Sequence, residues 1–114
     1  MMRVDLIVKG VAKTPTLDRM LRHKLHYAFD QFGRWVSEVA LAVEDVNGPK
    51  GGVDKRCRVT VSVPRSAAVV IDGRGADLLA VVTEAIDRAA HSLARLRDRR
   101  QDRRRHAPAG VVFA

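Results

Sequence analysis

The chain has 114 residues, 46% hydrophobic and 30% charged, which suits one folded domain with a single core and excludes a disordered polymer. Its 21 Lys and Arg against 13 Asp and Glu leave a net charge of +8, pointing to nucleic acid or an anionic membrane surface as partner. The single cysteine, Cys57, excludes an internal disulfide and a thiolate metal site, and no run approaches the ~20 apolar residues of a membrane span. Asp5 and Lys9 interrupt the only apolar run near the start, so no signal peptide and a cytoplasmic location are expected.

In chain order, Arg3 to Lys9 alternates, with Val4, Leu6 and Val8 on one face, and predicts a strand. A helix follows from Thr14-Pro15-Thr16, with Thr14 or Thr16 as the cap. Its apolar stripe is Leu17, Leu21, Leu25, Ala28 and Phe32, flanked by Met20 and Phe29, and Gly33 ends it. Trp35 to Glu44 predicts a second strand, and Asn47 to Gly52 an exposed loop. Arg56 to Val63 is the clearest strand, with Cys57, Val59, Val61 and Val63 inward and Arg56, Arg58, Thr60 and Ser62 outward. After a turn at Pro64-Arg65-Ser66, Ala67 to Ile71 predicts a fourth strand, and Asp72-Gly73-Arg74-Gly75 a turn into the last helix.

That helix, Asp77 to Arg105, carries Leu79, Val82, Ile86, Ala89, Leu93 and Leu96 at spacings of three and four, with Asp77 as N-cap. At about 27 residues it runs about 40 Å, against about 20–27 Å for a strand, so it overhangs its sheet. From Arg88 to Arg105 there are eight Arg against Asp98 and Asp102, a net +6. The order β-α-β-β-β-α predicts an α+β two-layer sandwich. Its four-stranded mixed sheet has both helices on one face, with a parallel first pair joined by a right-handed crossover. One domain over residues 1–105 and a mobile tail over 106–114 are expected.

The chemistry is expected on the last helix. Arg88, His91, Arg95 and Arg99 form an acid-free line opposite the packing stripe, and Arg97 and Arg100 lie on the overhang. Guanidinium groups match phosphates bidentately, and each neutralised phosphate releases counterions. Arg22 and Lys24 flank the first helix's stripe on opposite sides, so one borders the groove between the helices or both reach into solvent. Aromatic residues are sparse and most sit on packing faces, so no stacking platform for single strands is expected.

Other chemistry finds little support. His23, His26 and Asp30 have a metal-compatible spacing but no supporting groups around them, so no metal is expected. Cys57 alternates with core valines and should be buried and inert, while Glu44 and Asp45 point to opposite faces of a strand. With no nucleophile–base ordering, P-loop or dinucleotide fingerprint, neither catalysis nor a cofactor or small-molecule substrate is expected.

The element order, together with Ala80 to Arg99 (AVVTEAIDRAAHSLARLRDR), resembles the short ribosome hibernation-promoting factors, also called ribosome-associated inhibitors, of the sigma-54 modulation protein family. Ile86-Asp87-Arg88 takes the place of that family's IDK, and Arg95, Arg97 and Arg99 take its alternating basic places. His23-Lys24-Leu25, the helix end at Phe32-Gly33-Arg34, and Val39 to Val46 match its first helix and following strand. The likeness covers about residues 2 to 100, with Val8 in place of an early glycine and His91 at a usually basic position, where its contact would be weaker or pH-sensitive.

The resemblance implies a factor that binds the small ribosomal subunit through rRNA, between head and body. There it would cover the mRNA and tRNA sites and silence translation under stress or in stationary phase. It would be monomeric off the ribosome and without the extra domain by which long members pair ribosomes. A double-stranded RNA-binding module shares α-β-β-β-α, and Asn47-Gly48-Pro49-Lys50 is similar to one of its loops. Its second helix, however, begins with a lysine cluster, where this one begins Asp77-Leu78-Leu79. An adaptor modulating transcription machinery through its exposed sheet is a third reading.

Overall fold

The computed structural model describes residues 2–46 and 54–113, with side chains as far as Asp102. Four strands, β1 (Arg3–Lys9), β2 (Glu38–Asp45), β3 (Lys55–Ser62) and β4 (Val69–Gly75), form one sheet in that spatial order. β1 and β2 are parallel, with Leu6 opposite Leu41; β2–β3 and β3–β4 are antiparallel. Helix α1 (Pro15–Phe29) makes the crossover that a parallel pair requires, and α2 (Leu78–Phe113) follows the last strand. This is the expected α+β sandwich with a mixed sheet. The loop expected over Asn47 to Gly52 lies outside the described residues.

Local chemistry explains the boundaries. The Thr14 hydroxyl accepts from the Leu17 amide at 3.1 Å, and Pro15 takes the first helical position, where its missing N–H loses nothing. The chain leaves α1 through a 3-10 turn (Asp30–Trp35) in which Gly33 takes φ 55°, delaying β2 to Glu38. Asp77 caps α2, its carboxylate accepting from the amides of Leu79 at 3.0 Å and Ala80 at 3.4 Å.

β4 is longer than expected. Asp72-Gly73-Arg74-Gly75 continues the strand, opposite Lys55 to Arg58, instead of turning. Both glycines face α2, and a Cβ on Gly73 would lie 3.2 Å from Val81 Cγ1 and 3.2 Å from Cys57 Sγ. Their lack of side chain lets the helix settle against the sheet.

One core fills the space between the layers. Leu21, Leu25, Phe29 and Phe32 descend from the helical side of α1 and its 3-10 extension. Val39, Leu41 and Val43 of β2 and Cys57, Val59 and Val61 of β3 rise from the sheet. α2 contributes Val81, Val82, Ala85, Ile86, Ala89 and Leu93; Leu79, expected inward, is 42% exposed, and Leu78 packs instead. Each fully buried Leu or Phe contributes about 1.5–3 kcal/mol of apolar transfer. At the far end of the β2–β3 pair, the Lys55 ammonium bridges Asp54 at 2.9 Å and Asp45 at 3.2 Å. Its pKa is raised, chiefly by the Asp54 bond.

The α2 backbone runs 36 residues, through Pro108 to Phe113, well beyond the expected end. At 1.5 Å per residue that is about 54 Å, twice the length of a strand of this sheet. The tail expected to be mobile over 106–114 falls outside the described side chains.

Candidate nucleic-acid interface

The outer surface of α2 is the cationic element the sequence predicted, and its arginines divide into two groups. Arg88, His91, Arg95 and Arg99 are exposed. Arg88 donates to the Asp72 carbonyl of β4 at 3.2 Å, which anchors that side of the helix over the sheet edge. At about 100° per residue, Arg95 and Arg99 fall within about 40° of one another on the same side, about two and three turns further on. No carboxylate pairs with Arg88, Arg95 or Arg99 among the described residues. His91 is held by its Nδ1 contact to the Asp87 carbonyl at 2.9 Å. The line therefore presents three exposed guanidinium groups that form no ion pair among the described residues, with the Asp72 carboxylate near enough to Arg88 to feel its charge.

Arg97 and Arg100 face the opposite way. The Arg97 guanidinium lies over the Phe32 ring, 5.0 Å from its centroid, with Asp98 at 3.9 Å. Arg100 lies over the Trp35 ring at 5.2 Å and donates to the carbonyls of Arg65 at 2.8 Å and Pro64 at 3.4 Å. The first turn beyond the core is thus packed on the 3-10 turn and the β3–β4 connection rather than overhanging freely. Sequence spacing hides this, because Phe32 and Trp35 read as the end of a helix and the start of a strand.

The first helix also divides. Arg22 reaches toward β1, its Nε 3.0 Å from the Asp18 carboxylate and its guanidinium donating to the Val4 carbonyl at 3.3 Å. Lys24 instead borders a groove of about 370 Å³ between the helices, with His23 and Tyr27 beside it and Thr83 and Asp87 opposite. Of the two candidates, Lys24 lines the groove. It does not share a wall with Arg88, Arg95 and Arg99, which lie on the far flank of α2; the interhelical wall of α2 carries an acid, Asp87. Tyr27 is 84% exposed on this rim.

The remaining candidates are accounted for by local contacts. His26 Nδ1 lies 3.1 Å from Asp30, His23 faces the groove, and no group of three metal-binding side chains assembles among the described residues. Cys57 is buried, its Sγ 3.7 Å from the Val81 carbonyl oxygen, and burial pushes its thiol pKa up. On the outer face of the sheet, Arg58 pairs with Asp72 at 2.7 Å and holds that carboxyl below its ordinary range. Beside this pair, Ile7 and Val70 stand half exposed. No described helix is long and apolar enough to cross a membrane.

A two-layer α+β domain with an arginine line on its longer helix is the class that this geometry defines. No family model matches the sequence, and no curated protein matches it. Solved structures do. A ribosomal subunit interface protein from Coxiella burnetii superposes with a TM-score of 0.67 at 17% identity, over 86% of this chain and 99% of that one. The N-terminal domain of Thermus thermophilus Protein Y gives 0.67 at 18% identity, over 83% and 99%. The fold is the one these proteins share, and it is the fold that the sequence resemblance implied.

Proposed function

We propose that this chain binds the small ribosomal subunit through rRNA phosphates and silences translation under stress or in stationary phase by occupying the mRNA and tRNA sites. The observation that carries the reading is the exposed line of Arg88, Arg95 and Arg99, on a fold shared with a ribosomal subunit interface protein. A rigid helix holding three guanidinium groups on one side follows a phosphate backbone without reading bases. Lys24 and His91 supply contacts nearer the body of the domain. Inhibition is steric: a folded wedge excludes other ligands, and no bond is made or broken.

The test is co-sedimentation with purified bacterial ribosomes through sucrose at two salt concentrations. Wild-type protein travels with the small subunit at physiological salt and is released at high salt. The Arg88→Glu/Arg95→Glu variant folds normally and stays at the top of the gradient. Wild-type protein that fails to sediment sinks the ribosomal reading; a double variant that sediments like wild type removes α2 from it.

A further inference from the structure

At the end of the sheet away from Asp45 and Lys55, a groove of about 590 Å³ opens between the 3-10 turn, the β3–β4 connection and α2. Trp35, Val63 and Pro64 form its apolar lining, and Arg34, Arg65 and Arg100 its charged one. Its size is in the range of small-ligand sites. No carboxylate pairs with any of these three arginines among the described residues.

Two features mark the groove as built. Arg100 is fixed in place by two carbonyl acceptors and by the indole beneath it, so a flat cation is held ready without an anion to neutralise it. Arg65 takes φ 63° and is the one described residue other than glycine with a positive φ. The Val63-Pro64-Arg65-Ser66 turn, closed by the Ser66 amide donating to the Val63 carbonyl at 3.1 Å, has the type II pattern, which reserves this third position for glycine. An arginine there strains the backbone, and residues held in sparse regions cluster where ligands bind. In return, its carbonyl anchors Arg100 and its exposed side chain stands on the rim.

We propose that this groove is a second RNA contact that takes one unpaired nucleotide, its base against the Trp35–Arg100 stack and its phosphate on Arg34 and Arg65. Bases stack on aromatic rings and on guanidinium planes alike, and a phosphate matches the arginine fork. An acidic peptide would satisfy the charges but leave the flat apolar wall unused. The inference takes its ligand class from the ribosomal reading above and adds a place on the molecule, at the opposite side of α2's axis from the Arg88–Arg99 line.

Trp35 is the only tryptophan in the chain, so its fluorescence reports this groove alone. Full-length protein is titrated with a short single-stranded oligoadenylate and with the same strand in a duplex. The single strand quenches Trp35 saturably and the duplex does not. Arg65→Gly relieves the strained φ and removes the charge, so it melts no lower than wild type yet binds the single strand about tenfold more weakly, as does Arg34→Ala. Unmoved Trp35 emission, or wild-type affinity in both variants, overturns the proposal. The Arg88→Glu/Arg95→Glu variant separates the two readings, because it keeps the quenching while losing the ribosome. Quenching without any ribosome association sinks the ribosomal reading alone, and ribosome association without quenching sinks the groove alone.

Discussion

A Cβ placed on Gly75 would lie 2.6 Å from Val81 Cγ2. Strand β4 and helix α2 meet so closely there that the strand has no room for a side chain. Gly75→Ala is therefore expected to destabilise the domain by about 1–3 kcal/mol, although alanine lowers the entropy of the unfolded chain. Val81→Ala in the same chain should recover part of that loss. Urea denaturation of the two single variants and the double gives the coupling directly, and strict additivity would contradict the contact.

Arg97 and Arg100 are expected to behave differently from Arg95 and Arg99. Arg97→Ala removes the cation over Phe32 and should cost about 0.5–1 kcal/mol of stability. Arg99→Ala should leave the melting temperature unchanged and weaken ribosome association. Thermal melts beside sedimentation resolve the two, and equal loss of stability in both would erase the division.

The Asp77 cap offers a third check. Asp77→Ala strips the acceptor from the amides of Leu79 and Ala80 and should cost about 1 kcal/mol, while Asp77→Asn should cost little. Chemical denaturation compares them.

Acid should act through Asp72. Arg58 holds this carboxyl below its ordinary pKa, with Arg88 adding to the effect, so the folded state binds its proton less readily than the unfolded state. The pair's contribution is present at neutral pH, above the unfolded carboxylate's pKa, and disappears as pH falls through the depressed folded value. Both side chains are largely exposed, so the effect is small. Arg58→Ala should lose less stability than wild type between neutral and acid pH, measured as denaturation midpoints across that range.

Much of this was legible in the sequence, for definite reasons. Alternation in Arg56 to Val63 and the stripe of Leu21, Leu25 and Phe32 record single-face burial, and this leaves a period in the chain. Asp72 to Gly75 misled because glycine reads as a turn, whereas here it marks close approach of a helix distant in sequence. Leu79 misled because Leu78 and Val81 fit the same stripe after a small rotation of the helix. Arg22 and Lys24 could be told apart only in three dimensions, by Asp18 and the Val4 carbonyl on one side and the second helix on the other. The Trp35 groove was invisible, since its walls come from three segments and its key signal is a backbone angle at Arg65.

The sole cysteine gives the molecule a clock. Cys57 is 4% exposed beneath the first turns of α2, its sulfur against the Val81 carbonyl, and its raised pKa disfavours the reactive thiolate. An alkylating reagent reaches it only when α2 lifts from the sheet, locally or with the whole domain, so the labelling rate counts those openings. A subunit that grips α2 along its arginine line would slow that count, reporting engagement of the helix from the face it hides.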